Sequence, residues 1–343
     1  MMLPMKTRAL LTGFLLTATG GFAQNSNRVL ATASRVVLVR DASAMPAAVA
    51  DAGKVRAMVA TGIKTLTGAD DLAGAWKTFV SSDDVVGIKV TTAAAPAQAT
   101  RLAVVDAIAE GLVGAGVAAT NIIVFDRDAA KLAEAGFVEK PGGYRVVGFS
   151  PGGWDETKYI DSDPVGKLIW GDHFFGTEGD ELSGRSHLPV VITQRITKLI
   201  NVPVLQDSET CGLAGCLYSL SIGIIDNNRR FEMLDRFGDP IIANIHRIPL
   251  VRGKLVLHVM DALVAGYAGG PSFKPYYAWN AGALYFSRDA VAIDSLCLQQ
   301  IEAHRREAKL PSVKERAVHI MRATLLGIGL SSTTQIELIE TTP

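Results

Sequence analysis

The sequence predicts an α/β protein: a mainly parallel sheet with helices on both faces and an irregular mid-chain insertion. Three observations carry that expectation. Short β-branched runs alternate with longer stretches whose apolar residues recur every three or four positions. A strand, an amphipathic helix and a second strand follow one another within about 40 residues, the length of a βαβ unit. The composition, 48% hydrophobic and 20% charged over 343 residues, is that of a chain able to bury a large core.

Arg35-Val36-Val37-Leu38-Val39 reads as the first strand, and Lys54 to Leu66 and Leu72 to Phe79 as helices. Val85-Val86-Gly87-Ile88-Lys89-Val90 has the character of a buried strand. Arg101 to Val113 is an amphipathic helix and Asn121-Ile122-Ile123-Val124-Phe125-Asp126 the next strand, so these two strands are expected to lie parallel. Residues 141–196 break the pattern with Gly142-Gly143, Pro151-Gly152-Gly153 and a further Gly-rich run before His187. They read as an irregular insertion holding one hairpin, and segments of this length are often functional. Regular structure resumes with strands at Lys198 to Val202, Leu255 to Met260 and Ala283 to Phe286. Helices follow over Asp289 to Glu307 and Val313 to Leu326. With no repeat and no clean linker, residues 24–343 are expected to form a single domain.

The first 23 residues read as a signal peptide. Lys6 and Arg8 precede the apolar run Ala9 to Leu16, and Gly21-Phe22-Ala23 supplies small residues two apart. Cleavage is expected after Ala23, leaving Gln24 as the mature N-terminus of a periplasmic or secreted bacterial protein. The apolar run falls short of the roughly 18–20 residues that cross a bilayer, so no membrane span is expected in the mature chain. Lys plus Arg (34) equals Asp plus Glu (34), which leaves no net field to draw the chain to nucleic acid. Cys211 and Cys216, five positions apart, either form a disulfide closing a tight loop or pack as inert thiols; their spacing is not that of a zinc site.

In a parallel sheet, ligands bind beyond the carboxyl ends of the strands. Lys89, Asp126, Asp207 and Asp261 end or follow apolar strands, so their side chains could converge there, or each could serve as a cap or a solvated loop charge. Gly269-Gly270-Pro271 reads either as an anion-binding loop of backbone amides or as a tight turn. Arg229-Arg230 is the best guanidinium clamp for an anion, with surface ion pairing as the alternative. Asp289 sits where a helix N-cap belongs. Asp294 lies on the apolar face of the same helix and must find an Arg or a backbone donor. Asp172, His173, Glu178, Asp180 and His187 could together ligate a divalent metal, but they match no known ligand spacing, and no metal site is expected. His246 is isolated, and His258, inside an apolar strand, reads as a core histidine. The chain carries no G-x-S-x-G elbow, H-E-x-x-H, Walker loop, dinucleotide fingerprint or cysteine cluster for an iron–sulfur centre.

Five words stand out in order: Val86-Gly87-Ile88-Lys89-Val90; Leu199-Ile200-Asn201-Val202-Pro203-Val204-Leu205; Ser221 to Phe231; His258-Val259-Met260-Asp261-Ala262-Leu263 with Gly269-Gly270-Pro271; and Ser287-Arg288-Asp289-Ala290-Val291-Ala292-Ile293-Asp294. Together, over roughly Val85 to Gln300, they resemble the domain-of-unknown-function 362 family. That resemblance implies an α/β fold, frequent export and occasional fusion to iron–sulfur ferredoxin modules, but no general reaction. The chain departs from the family pattern where Thr91 replaces an Asn, Gln206 and Ser208 replace a Lys and a nearby His, Tyr218-Ser219 replace a Lys-Asn pair, and Glu232 replaces a His.

The expected function is therefore binding of a small anionic ligand at strand carboxyl ends, in a partly degenerate site. Its candidate residues are Lys89, Asp126, Asn201, Asp207, Asn227, Arg229, Arg230, Asp261, Gly269 and Gly270. A metal-assisted or redox-linked envelope enzyme, served by a redox partner, and a structural or partner-binding protein are the alternatives. The sequence assigns neither a cofactor nor a catalytic residue.

Overall fold

The computed structural model describes residues 33–161, 185–231 and 240–343, and Thr32–Pro343 forms one compact unit. Residues 1–23, read above as a signal peptide, lie outside the described residues. β1 (Ser34–Arg40) leads to α1 (Ala52–Thr67), which Asp51 opens by accepting from the Gly53 and Lys54 amides and Gly68 closes at φ 70°. α2 (Leu72–Lys77) is capped in the same way by Asp71. β2 (Val86–Val90), α3 (Leu102–Gly114) and β3 (Ile122–Asp128) form the expected crossover, with β2 and β3 parallel. α4 (Ala129–Glu134) follows, capped by Asp128.

The mid-chain segment is more regular than its glycines and prolines suggest. β4 (Arg145–Ser150) joins the main sheet parallel to β3, correcting the expectation that the whole insertion is irregular. Its apolar run is only Val146-Val147 before Gly148, too short to read by periodicity. β5 (Trp154–Asp161) and β6 (Arg185–Pro189) then pair antiparallel as a separate two-stranded sheet.

β7 (Lys198–Val202), β8 (Val204–Ser208) and the two-residue β9 (Gly212–Leu213) precede the short helices α5 (Cys216–Ser219), α6 (Ile241–His246) and α7 (Pro249–Arg252). The long strands β10 (Leu255–Gly266) and β11 (Ala278–Ser287) are followed by α8 (Ala290–Glu307), α9 (Val318–Leu325) and β12 (Ile336–Thr341). Asp289 caps α8 through the Val291 and Ala292 amides, as its position predicts.

The sheet runs β12-β1-β11-β10-β7-β2-β3-β4, with β8 alongside β10 and β9 on β8. From β10 to β4 all neighbours are parallel; β11 is antiparallel to both β1 and β10. Alternation along β1 divides the core. Val36 and Leu38 join the layer holding Ile242, Val291 and Ile320 of α6, α8 and α9, whereas Val37 and Val39 join that of Val55, Met58 and Ile108 of α1 and α3. Helices therefore cover both faces. Among the described residues, no helix is long and apolar enough to cross a membrane.

Candidate functional site

Strand register sets the polar geometry. Lys89 of β2 lies opposite Asn201 of β7, and Asn201 opposite His258 of β10. Side chains in register point to the same face, so these three form a polar row across the middle of the sheet, beneath α5. Asn201 donates from Nδ2 to the Cys216 carbonyl at 3.0 Å, approaches His258 Nδ1 at 3.1 Å, and accepts from Ser219 Oγ at 2.9 Å.

Lys89 is 2% exposed, and its ammonium lies 2.9 Å from Asp126 Oδ1 and donates to the Val90 carbonyl at 2.7 Å. Asp126 is held in turn by the Thr92 amide and hydroxyl, each at 2.8 Å, and by the Arg127 amide at 2.8 Å. An ammonium carries three donors. Two are filled here, and no third acceptor lies within hydrogen-bond reach among the described residues. Gly223 packs beside Nζ, close enough that a β-carbon on it would stand 3.5 Å away. Arg127 braces that glycine's turn by donating to the Ile222 and Ile225 carbonyls, and its guanidinium lies 5.6 Å from the centre of the Trp154 ring.

Asp207 belongs to a different knot. Its carboxylate accepts from the Gly270 amide at 3.1 Å and lies 3.6 Å from Arg305. The Gly269 amide donates to Glu209 at 3.2 Å, and Glu209 also pairs with Arg305 and Arg316 at 3.2 Å each. Burial pushes the Asp207 carboxyl up to about 6, against the opposing pull of the Gly270 amide and Arg305. The glycine amides are thus occupied by the protein's own carboxylates, and Gly269-Gly270 makes a braced turn where an anion-binding loop was one expectation.

Asp261 forms a third knot. It accepts from the Arg101 amide at 2.8 Å and the Leu263 amide at 3.0 Å, fixing the start of α3 against β10. Its carboxyl is raised by burial. Asn227, at φ 37°, donates to the Arg185 carbonyl at 3.1 Å and ties its turn to β6. The side chains of Arg229 and Arg230 lie outside what is described, as do Asp172, His173, Glu178, Asp180 and Glu232. His187 is engaged by Asp226 at 2.8 Å. Among the described residues, no three His, Cys, Asp or Glu side chains are arranged to hold a metal ion.

The structure therefore brings Lys89 and Asp126 together and sets Asn201 beside them. Lys89, Asp207 and Asp261 do not converge: each is bonded within its own group. Sequence reasoning missed Arg127, Gly223, Glu209 and Arg305. Only Arg305 left a signal, standing four positions after the buried Ile301 on the apolar face of α8. The polar row also contains a pair that spacing could not show. His246 of α6 stacks on His258 with ring centres 6.0 Å apart, and both His246 nitrogens and His258 Nε2 are buried without a hydrogen-bond partner among the described residues. Cys211, Cys216 and Cys297 are free, buried thiols.

An open, mainly parallel sheet with helices on both faces and a buried lysine at a strand carboxyl end defines the class of protein. The chain belongs to the family described as Domain of unknown function (DUF362), whose sequence profile matches residues 86–299, more than half of the chain. Among solved structures, it is similar to a protein from Thermotoga maritima determined by the Northeast Structural Genomics Consortium, at 12% identity and a TM-score of 0.42. The alignment covers 76% of this chain and 60% of that one, and a likeness at this level carries no functional argument. No curated protein matches the chain.

Proposed function

We propose that this chain is an exported envelope protein that binds a small anionic ligand at the carboxyl ends of β2 and β3, in a site reduced relative to that of its family. The observation that carries this reading is the Lys89 ammonium: buried, held by Asp126 and the Val90 carbonyl, and left among the described residues with one unfilled donor in a neighbourhood that includes Gly223. A carboxylate or phosphate oxygen would complete it with a charge-assisted hydrogen bond. Asp126 offsets much of the positive charge, so binding is expected to be modest, with a Kd of about 0.1–1 mM.

The departures from the family pattern support binding over catalysis. Ser219 stands where the family carries an Asn, and its hydroxyl is spent on Asn201. Ser208 stands where the family carries a His and bonds the Cys211 amide. Groups that could have acted on a ligand are replaced by groups that stitch the fold.

Calorimetric titration with phosphate, sulfate and citrate tests the reading, comparing the natural chain with Gly223→Ala and Gly223→Val. At least one anion is expected to bind at one site per chain, with Gly223→Val weakening it at least tenfold by filling the space beside Nζ. Binding unaffected by that substitution, or no binding by any of the three, rejects the site. Substrate turnover abolished by Lys89→Ala would replace binding with catalysis. Export is tested separately: the envelope fraction should yield a mature chain beginning at Gln24.

A further inference from the structure

We propose that the hollow at the C-terminal end of α8 is a second anion site, for a phosphate monoester carried on a small organic body. The hollow measures about 450 Å³ and lies between the last turns of that helix and the loop that follows. Glu302, Arg305, Arg306, Lys309, Leu310 and Ser312 form its walls. The two walls are fixed to each other. Arg305 Nε donates to the Pro311 carbonyl at 2.7 Å, and Glu302 accepts from the Val313 amide at 2.8 Å, so the loop is pinned to the helix at two points.

Three features set the chemistry. Arg305 is buried, and its Nη1 is spent on Glu209 and the Tyr267 carbonyl. Its Nη2 has no partner among the described residues, yet it is not sealed from solvent. A guanidinium whose outer nitrogen is unfilled in the wall of a hollow offers a fork to an oxyanion. Lys309 stands at φ 55°, in the left-handed position that closes α8. The Leu310 amide bonds the Arg305 carbonyl at 2.8 Å there, and the Lys309 amide bonds the Arg306 carbonyl at 3.1 Å. Glycine takes that conformation without strain; lysine costs backbone energy and sets an ammonium at the hollow. The same two bonds occupy carbonyls that would otherwise repel an anion. Ser312 Oγ accepts from the Lys314 amide at 3.1 Å, which leaves its own proton free to donate.

The charges favour the same ligand. Arg305 is matched on its inner side by Asp207 and Glu209. Arg306 and Lys309 are exposed and pair with no carboxylate among the described residues, and Glu302 offsets only one of them. Donors from four side chains suit a phosphoryl group, with three free oxygens, better than a carboxylate with two. Leu310 gives the organic body of the ester an apolar contact.

The test is a titration of ¹⁵N-labelled protein with phenyl phosphate, following the Arg305 Nε–H signal and the Leu310 and Ser312 amides. The three are expected to shift together and saturably, with one site and a Kd of about 1 mM. Inorganic phosphate lacks the ring that packs on Leu310 and should bind here about tenfold more weakly. Benzyl alcohol, with the ring and no charge, should move none of the signals. Lys309→Gly relieves the left-handed backbone, so it retains the fold, and should weaken binding about fivefold. Arg306→Gln should do the same, and the two together should abolish the response. Gly223→Val should leave it intact, separating this site from the one at the strand ends. Vesicles of phosphatidylcholine containing phosphatidic acid identify the source of the ester. Sedimentation with them that is lost on Lys309→Gly assigns a lipid headgroup, and a phenyl phosphate shift without sedimentation assigns a soluble ester. No saturable shift with phenyl phosphate, an equal shift with benzyl alcohol, or a shift that survives the double substitution would each overturn the proposal.

Discussion

Asp207 and Gly270 lie so close that a β-carbon on the glycine would stand 2.1 Å from the aspartate's carbonyl oxygen and 2.7 Å from its Oδ1. The contact is possible only without a side chain, and it lets the Gly270 amide reach the buried carboxylate. Arg305 closes the other side of that carboxylate and donates to the Tyr267 carbonyl at 2.9 Å. The end of β8, the turn after β10 and the apolar face of α8 are thereby locked to one another.

Gly270→Ala should destabilise the protein by about 3 kcal/mol, since a β-carbon cannot be seated without moving backbone. Gly114→Ala is the matched control: no atom lies within 4 Å of its would-be β-carbon, and it sits at the end of a helix at ordinary φ. It should be neutral or stabilising by up to about 1 kcal/mol. Urea unfolding of the two variants checks the contrast.

Lys89→Met should cost about 3 kcal/mol, because it leaves the largely buried Asp126 carboxylate without its cation. Adding Asp126→Asn should restore most of the loss, since the amide oxygen can still accept from Thr92. Denaturant titration of the single and double variants gives the coupling directly. A double variant no more stable than Lys89→Met would show that the pair is not the unit described here.

The stacked histidines predict loss of stability in acid. Burial, aided by Arg252, holds His246 down to about 4, and burial together with His246 holds His258 well below the usual range. As pH falls from 6.5 towards 4, the histidines of the unfolded chain take up protons that those of the folded chain refuse, so their contribution to stability falls over that window. His246 alone should contribute about 3 kcal/mol of the fall. His246→Phe should flatten the decline, as measured by urea unfolding at successive pH values. Asp207 acts in the opposite sense: its carboxyl is raised by burial to about 6, so its contribution is complete only below about pH 4 and is lost as pH rises through 6. Asp207→Asn should remove that opposing slope.

The three thiols should all be found reduced. Each is fully buried, and burial pushes Cys211 up to about 12 and the other two well above the ordinary range. None should react with a thiol reagent in the native protein, and all three should react after denaturation in guanidinium. A count of one after denaturation would instead indicate a disulfide between two of them.

The order of the longer elements, β1 to β3 and β10 to α9, was legible in the sequence because helix and strand periodicity are local properties. So was the capping role of Asp289, and so was the need of Asp294 for partners: its carboxylate accepts from the Cys216 and Leu217 amides at 2.7 and 2.9 Å, and so opens α5. Family membership was legible too, since it rests on words read along the chain. β12 was missed because Ile336 to Thr341 alternates weakly and owes its place to pairing with β1, where Arg35 meets Glu337 across 302 positions. The insertion of antiparallel β11 between β1 and β10 is likewise a choice of hydrogen-bond partner that no local pattern encodes. The candidate site followed the same division. Residue type and strand position put Lys89, Asp126 and Asp207 near strand ends, whereas Asp261, expected after a strand ending at Met260, lies inside β10, which runs on to Gly266. Only the tertiary structure decided that Lys89 turns to Asp126, Asp207 to Gly270 and Arg305, and Asp261 to the start of α3. A buried charge takes whichever donor or acceptor the packing brings within about 3 Å, and that distance is set by elements far apart in the chain.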